Sequence, residues 1–210
     1  MIELDCDLIT ALVERWRPET HTFHFTVGES TVTLQDVGVL TGLPIHGMPV
    51  TGNAKHDWTD VCERLLGAVP PRNAFEGSKI KLTWLSQRFH TLPADATDVE
   101  IQYYTRAWLL RCLGGLVFTT NKSNMVHLMF LPLLEDFNVV GQYSWGSACL
   151  AWLYRELCRA TRPNARGLGG YLQLLQIWAW ERLPNFRPNF INRVSLHQDM
   201  PYGYRLMLIK

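Results

Sequence analysis

The sequence lacks an apolar run long enough to cross a membrane. A membrane-spanning helix needs about 20 consecutive apolar residues, and the longest apolar stretches are interrupted by Arg111, Lys122, Pro132 and Glu135. The N-terminus has acids at positions 3, 5 and 7 and no basic segment, unlike a signal or transit peptide. The sequence therefore predicts a water-soluble protein without a visible targeting signal and without a membrane partner.

Cysteine is scarce and widely spaced. The five cysteines are Cys6, Cys62, Cys112, Cys149 and Cys158. Their odd number and wide spacing do not suit a disulfide framework, and four of them lie in apolar helical patterns, as reduced core thiols do. We therefore expect a reducing compartment, either the cytosol or the nucleus.

Aromatic residues are abundant, and the charge is unevenly distributed. The 210 residues are 47% hydrophobic and include eight Trp, nine Phe and seven Tyr, enough to bury a sizeable core. Residues 1–150 hold 11 basic and 16 acidic side chains, a net charge of −5, whereas residues 151–210 hold 9 and 3, a net charge of +6. The basic C-terminal part is a candidate to meet an acidic partner.

Apolar periodicity predicts a mainly α fold with small β-hairpins, a compact multi-helix globule. The predicted helices cover residues 8–16, a short stretch ending at Gly42, 57–67, 82–90, 101–118, 124–135, 144–160 and 170–182. The other predicted elements are a hairpin with strands at 22–27 and 31–34 around a turn at 28–29, a surface loop or hinge at 70–81, and a C-terminal strand at 204–209. The helix at 101–118 is apolar on nearly every face, so we expect it at the centre of the fold.

Several polar residues stand where helix caps are expected. The predicted caps are Asp7, Asp57, Ser144 and the capping-box pairs Thr33–Asp36 and Thr97–Glu100. Ser144 is interpreted as a cap and not as a nucleophile, because the Gly-x-Ser-x-Gly elbow and its preceding strand are missing. The helix that follows it is predicted to bury Trp145, Ala148, Cys149 and Trp152.

Eight segments, in the same order along the chain, carry a resemblance to a known family. They are LITALVERWRPET (8–20), TFHF (22–25), VTLQDV (32–37), LTGLP (40–44), YSWGSA (143–148), LYR (153–155), GG (169–170) and LLQIWA (174–179). With them the sequence resembles a plant mobile domain, the domain of maintenance-of-meristems proteins and of related transposon-encoded proteins. We expect residues 1–210 to be a single such domain trimmed at both ends, because family members continue beyond both ends of this segment.

The resemblance implies a nuclear role in transposable-element silencing, gene expression, genome integrity and meristem maintenance. It also implies a partner phosphatase of the PPP serine/threonine type. It carries over no catalytic residue, so we expect a protein-interaction domain that is not an enzyme and holds no cofactor.

The family is also catalogued as aminotransferase-like, and lysine tests that label. Pyridoxal phosphate needs a Schiff-base lysine and an acid or arginine partner for its ring. The five lysines, none in a context typical of a buried reactive amine, are Lys55, Lys79, Lys81, Lys122 and Lys210. We therefore predict no pyridoxal phosphate site.

Metal and nucleotide motifs are weak. No Cys or His pair has the usual zinc spacing, and His21 and His24, three apart in a predicted strand, should point to opposite faces. The glycine-rich residues 167–170 precede a helix like a phosphate loop, but they follow a helix and not a strand, so we interpret them as a helix connection. The acidic residues are interpreted as caps and helix-surface charges.

Four arginines, spaced three or four apart, form a candidate contact surface. They are Arg155, Arg159, Arg162 and Arg166. Side chains at that spacing share one side of a helix, and arginines there would suit nucleic-acid phosphates or an acidic protein surface. The alternative is a solvated face whose cations favour a helix C-terminus. The leading hypothesis is thus a protein-interaction domain, and the alternative is a DNA- or RNA-binding module of transposon origin that uses the basic C-terminal region.

Overall fold

The computed structural model describes residues 3–53, 55–120 and 124–188. The chain divides into two compact units: the first combines Met1–Gly47 with Ser144–Lys210, and the second is Met48–Tyr143. The expectation of a single domain over residues 1–210 stays a prediction. The predicted C-terminal strand at 204–209 lies outside the described residues.

The described residues are mainly helical with small β elements, as the sequence predicts. The strands form two antiparallel sheets of three strands each, and the second of these sheets was not predicted. The α-helices are α1 Cys6–Arg15, α2 Leu34–Thr41, α3 Trp58–Leu66, α4 Leu82–Arg88, α5 Asp98–Cys112, α6 Phe137–Val140, α7 Trp145–Ala160 and α8 Leu172–Arg182. The strands are β1 Trp16–Arg17, β2 Thr22–Phe25, β3 Gly28–Ser30, β4 Phe75–Glu76, β5 Lys79–Lys81 and β6 Met125–His127. A π-helical turn, Leu113–Val117, continues α5, and 3₁₀ helices lie at Arg72–Ala74, Leu128–Phe130, Pro132–Leu134 and Pro184–Phe186. Among the described residues, no helix combines the length and the apolar character that a membrane crossing requires.

The first helix begins earlier than the sequence pattern predicts. Asp5, and not Asp7, is its N-cap, because Asp5 Oδ1 accepts a hydrogen bond from the Leu8 N–H at 2.9 Å. Asp7 lies instead in the first turn, where a carboxylate favours the helix dipole. The predicted apolar face is confirmed, since Leu8, Ile9 and Leu12 are buried.

The predicted N-terminal hairpin is confirmed, but its turn is shifted. β3 begins at Gly28, so the turn comprises residues 26–27 and not 28–29. The predicted return strand at 31–34 is wrong because Thr33 is used as the N-cap of α2. β1 adds a third strand beside β2.

Both predicted capping boxes are present. Thr33 Oγ1 accepts from the Asp36 N–H at 3.2 Å, while Asp36 Oδ2 accepts from the Thr33 N–H at 2.9 Å. Thr97 and Glu100 make the same two bonds at 3.3 and 2.9 Å before α5. Asp57 caps α3 as predicted, and the glycines after α2 and α3 end those helices in the left-handed conformation.

The core of the first unit is built around α8. All seven residues from 174 to 180 are buried. The Trp178 ring lies 5.2 Å from the Phe23 ring, which in turn lies 4.8 Å from the Trp16 ring, as measured between centroids. Large aromatic side chains dominate core energetics, so this cluster fixes the N-terminal hairpin to α8.

In the second unit, α5 is less buried than its composition predicts. It buries Arg106, Ala107 and Leu110, whereas Trp108 is 60% exposed. The prediction that this helix lies at the centre of the fold is therefore wrong. Several apolar residues of the predicted helix belong to Leu113–Val117. There the α-helix changes to a π-helical turn.

Two further predictions are wrong in the second unit. The segment 124–135 is β6 followed by two 3₁₀ helices, and the segment 70–81 contains β4 and β5. A short apolar run does not distinguish a buried strand from a helix, and Pro132 lacks the N–H that an α-helix uses. A Cβ on Gly114 would lie 2.4 Å from Val126 Cβ, so β6 packs directly on the π-helical turn.

Candidate functional site

The predicted surface of four arginines begins on α7. Hydrogen bonds connect the first turn of this helix to residues just before Gly47. The Gly146 N–H donates to the Pro44 carbonyl at 2.7 Å, and the Ser147 hydroxyl donates to the Ile45 carbonyl at 2.8 Å. Ser144 occupies the predicted N-cap position, but within the described residues its side chain makes no capping hydrogen bond. Hydrogen bonds from Gly146 and Ser147 to the Pro44 and Ile45 carbonyls, and not the predicted Ser144 hydroxyl cap, therefore fix the start of α7.

The buried face of α7 is rotated slightly from the predicted one. The buried apolar side chains are Trp145, Cys149, Leu153 and Leu157, spaced by four. Ala148 and Trp152, predicted to be buried, are only half-buried. Trp152 therefore lies at the border of the buried face, next to the exposed side of the helix.

Two of the four arginines make side-chain contacts on α7. Arg155 Cζ lies 4.9 Å from the centre of the Trp152 ring, which is a cation–π contact. Arg159 Nη1 lies 3.0 Å from Glu156 Oε1, and the Glu156 side chain is only 3% exposed. Because a buried carboxylate needs a partner, Arg159 already has a structural role.

The other two arginines lie beyond the end of α7 at Ala160. The Arg162 N–H donates to the Arg159 carbonyl at 3.2 Å, which starts a turn. Helical spacing thus places only Arg155 and Arg159 on one helix face. Arg162 and Arg166 are exposed, and their guanidinium groups have no hydrogen-bond partner within the described part of the chain. The assignment of the four arginines as partner or nucleic-acid contacts stays a prediction.

The glycines before α8 shape the chain. Gly167 and Gly170 have φ of 97° and 94°, a region that residues with a Cβ rarely adopt. A Cβ on Gly170 would also lie 3.1 Å from Leu153 Cδ1 on α7. This geometry supports the interpretation of residues 167–170 as a helix connection.

The two histidines near the hairpin have separate neighbours. The His21 ring, just before β2, stacks on Tyr154 with centroids 5.4 Å apart. His24 Nε2 lies 3.3 Å from Glu29 Oε2, an ion-pair distance without hydrogen-bond geometry. Across residues 3–53, 55–120 and 124–188, no group of three or more His, Cys, Asp or Glu side chains is placed to hold a metal ion.

The cysteines are unpaired thiols with different environments. Burial raises the pKa of Cys62 and of Cys149 to about 12, and it raises the pKa of Cys112 as well. The Trp16 Nε1–H donates to Cys158 Sγ at 3.3 Å. Cys6, the first residue of α1, is exposed, and Cys112 and Cys158 are half-buried. The expectation of core thiols therefore holds for Cys62 and Cys149 and not for the other three.

Two residue types weighed for catalysis have unfavourable settings. Lys55, Lys79 and Lys81 are exposed or half-buried, unlike the desolvated amine of a Schiff-base lysine. Lys122 and Lys210 lie outside the described residues. The Ser78 hydroxyl lies 3.3 and 3.5 Å from the two ring nitrogens of His127. Both distances are longer than the roughly 2.6–3.2 Å typical of a nucleophile and its activating base.

A buried arginine anchors α5, and the sequence patterns did not single it out. Arg106 donates through Nε to the Leu134 carbonyl at 3.0 Å, through Nη1 to the Leu65 carbonyl at 3.3 Å, and through Nη2 to the Glu135 carbonyl at 2.8 Å. Its Cζ lies 5.0 Å from the Phe137 ring centre. Burial lowers the pKa of Arg106 from its ordinary value, an effect that the Glu135 carboxylate opposes. The signal in the sequence was a charged residue within an apolar helical stretch.

The opposite side of α5 presents apolar side chains to solvent. Ile101 and Trp108 are 42% and 60% exposed. They are seven residues apart and so lie on one face of the helix. We call this pair the α5 apolar face. Exposed tryptophan is unusual on a free surface and is enriched at the centre of protein interfaces.

The sequence comparisons agree with the resemblance. A family model, Plant mobile domain, matches residues 1–207. A serine/threonine-protein phosphatase 7 long form homolog of Arabidopsis thaliana is 52% identical over 194 residues, which are 92% of this chain and 14% of that protein. Protein MAIN-LIKE 2 of the same organism is 47% identical over 96% of this chain and 30% of its own length. Protein MAINTENANCE OF MERISTEMS, also from Arabidopsis thaliana, is 42% identical over 91% of this chain and 40% of its own length.

No solved structure matches the chain. The chain spans between 14% and 40% of the length of these three relatives. The matches nevertheless cover nearly all of this sequence, and the family model runs almost from end to end. The chain belongs to the plant mobile domain family.

Proposed function

We propose that this chain is a non-catalytic nuclear protein-interaction domain that acts in transposable-element silencing, control of gene expression and meristem maintenance. The names of the relatives MAINTENANCE OF MERISTEMS and MAIN-LIKE 2 support the meristem role. The name of the phosphatase 7 long form homolog, a much longer chain that contains a similar segment, supports a phosphatase partner. The partner we propose is a PPP-type serine/threonine phosphatase.

The observation that carries this proposal is the α5 apolar face, Ile101 with Trp108. The helix beneath it is held by the Thr97–Glu100 capping box and by the hydrogen bonds of Arg106 to backbone carbonyls. A large aromatic side chain on a rigid element binds a partner with little loss of conformational entropy. The α5 apolar face therefore has the chemistry of an interface anchor.

Recovery of partners from plant nuclear extract tests the proposal. The tagged 210-residue chain should retain a PPP-type phosphatase in stoichiometric amount, and Trp108→Ala should lose it. Phe186→Ala is the matched control, because Phe186 is another exposed aromatic residue, 61% accessible, in the first unit. If no stoichiometric phosphatase is recovered, or if the two variants behave alike, the proposed interaction is wrong.

The exposed arginines favour a second candidate, direct binding of DNA or RNA. Arg162 and Arg166 are exposed, and residues 151–210 carry the basic excess. Each phosphate contact contributes about 0.9 to the slope of log K against log salt, so the Arg162→Ala, Arg166→Ala double variant should flatten that slope by about 1.8. These two positions are preferred to Arg159, whose loss would leave Glu156 buried without its partner. Binding that does not depend on salt would exclude this candidate.

A further inference from the structure

The solvent-facing side of α7 carries a tryptophan followed by two arginines. Trp152, Arg155 and Arg159 follow one another at intervals of three and four residues, so they share one face of the helix. Arg155 and Arg159 are exposed, and Trp152 is half-buried at the edge of that face. Two guanidinium groups are therefore open to solvent beside an aromatic ring.

These two guanidinium groups keep unused hydrogen-bond donors. Arg155 Cζ lies 4.9 Å from the centre of the Trp152 ring, a contact with the ring face that uses no N–H. In the described part of the chain, the Arg155 side chain donates no hydrogen bond. Arg159 uses Nη1 for Glu156 Oε1 at 3.0 Å, whereas a guanidinium carries five N–H donors. This face can therefore bind a ligand that brings acceptors.

The charge around this face is positive. Residues 145–170 contain four arginines and one acid, Glu156, a net charge of +3, and the Glu156 side chain is only 3% exposed. The helix packs against α2 and β1. The acid of α2, Asp36, accepts from Arg182 of α8 at 2.7 Å, and β1 contributes a further cation, Arg17. Complementary charge therefore favours an anionic ligand.

Two acids near the end of α7 lie on another side of the helix. Glu14 and Glu19 line a cleft that the last residue of α7, Ala160, also lines. Because an α-helix turns by about 100° per residue, Ala160 lies about 140° around the helix from Arg155. The two carboxylates are therefore not part of the face that carries Arg155.

The stack of Arg155 on Trp152 distinguishes among anionic ligands. Nucleobases stack on guanidinium planes and on aromatic rings, whereas the carboxylates of an acidic peptide use only the N–H donors. Unpaired bases present their faces for such stacking, and the bases of a duplex do not. Arg159 lies about 6 Å from Arg155 along the helix axis, so one base and the phosphate next to it can reach the two arginines.

We propose that this face of α7 binds single-stranded nucleic acid. One base stacks on the Arg155 guanidinium, whose other side lies against the Trp152 ring, and an adjacent phosphate accepts hydrogen bonds from Arg159. The proposal rests on the second candidate function, direct binding of DNA or RNA, and specifies the state of the strand and the residue that meets a base.

Fluorescence anisotropy on the full 210-residue chain tests this proposal with four labelled probes. The first is an oligothymidylate of about 12 nucleotides, within the site size usual for single-strand-binding domains. The others are its abasic analogue with the same phosphates, its duplex with oligoadenylate, and an oligoglutamate peptide. The oligothymidylate should bind at least about fivefold more tightly than each of the others, because base stacking adds to the phosphate contacts.

Arg155→Lys separates stacking from charge. Lysine keeps the positive charge but has no planar group on which a base stacks. This variant should lose the preference for the oligothymidylate over its abasic analogue, and its affinity for the abasic analogue should stay within about twofold of wild type. Arg88→Lys is the matched control, because Arg88 is also exposed and its Cζ lies 5.5 Å from the Phe89 ring, but in the second unit. The control should keep the preference.

The outcomes separate this proposal from the candidate function beneath it. Equal binding of the oligothymidylate, its abasic analogue and the duplex would overturn the stacking proposal and leave direct nucleic-acid binding in place. Binding of no nucleic-acid probe would overturn both, and tighter binding of the oligoglutamate peptide would show an acidic protein ligand instead. An unchanged preference in Arg155→Lys would show that no base meets this residue. Circular dichroism of each variant establishes that it is folded.

Discussion

Replacing Arg106 by methionine removes a buried cation from the second unit and keeps most of the side-chain volume. The guanidinium donates to three backbone carbonyls, at 3.3, 3.0 and 2.8 Å, and two of these bonds are fully buried. Each buried acceptor left without a donor costs about 1–3 kcal/mol. We therefore expect Arg106→Met to lower the free energy of unfolding by about 3–5 kcal/mol, the scale seen when one partner of a buried charged pair is removed.

Urea denaturation followed by far-UV circular dichroism measures this change. The matched control is Arg111→Met in the last turn of the same helix, where the arginine is half-buried and, within the described residues, donates no side-chain hydrogen bond. The control should change the free energy of unfolding by less than about 1 kcal/mol. A loss below about 1 kcal/mol for Arg106→Met, or equal losses for both variants, would refute the anchoring role of Arg106.

Two adjacent glycines should respond differently to a methyl group. A Cβ at Gly114 would lie 2.4 Å from its nearest neighbouring atom, and one at Gly115 would lie 3.7 Å from its nearest neighbouring atom. Calorimetry should therefore show a lower melting temperature for Gly114→Ala and not for Gly115→Ala. Equal melting temperatures of the two variants would contradict the close packing at Gly114. Burial acts to raise the pKa of Asp36, but hydrogen bonds from the α2 N-cap and the ion pair with the α8 arginine outweigh it, and the pKa is held below 3.8. A carboxyl with a lowered folded-state pKa contributes stability that is lost as the pH falls through that pKa. The stability difference between wild type and Asp36→Asn should therefore close below about pH 4, and a constant difference would be evidence against the pairing. Burial raises the pKa of Cys149 to about 12, so iodoacetamide at about pH 8 should label exposed Cys6 long before Cys149 in peptide mass spectrometry. Equal labelling would show that Cys149 is accessible.

Capping chemistry could be predicted because it depends on residues close in sequence. The Thr33–Asp36 and Thr97–Glu100 pairs form the predicted boxes, and Asp57 caps α3. The N-cap of α1 is Asp5 and not Asp7. Both residues are aspartates with the same capping preference, so the sequence pattern alone does not show which of them caps the helix.

Tertiary packing decided the regions where the sequence prediction was wrong. The apolar residues after position 124 suit a buried strand as well as a helix, and the close approach of β6 to Gly114 selects the strand. Burial of α8 exceeds that of α5 although both helices contain tryptophan, two in α8 and one in α5. Which of the two lies inside depends on contacts between distant segments.

The candidate surfaces were predicted only in part. Arginine spacing identified Arg155 and Arg159 as neighbours, but it did not reveal that Arg159 pairs with buried Glu156 or that the helix ends at Ala160. The α5 apolar face was not predicted, because apolar residues in a helix are normally assigned to the core.

Trp108 is proposed to anchor a protein-binding face on α5. Isothermal titration calorimetry of the purified 210-residue chain with a purified PPP-type phosphatase tests it most directly. We predict measurable binding that Trp108→Ala weakens by at least about 30-fold, the effect of an interface anchor worth about 2 kcal/mol, while Phe186→Ala binds like wild type. Undetectable binding of the wild-type chain, or the same affinity for wild type and Trp108→Ala, would contradict the anchoring role of Trp108.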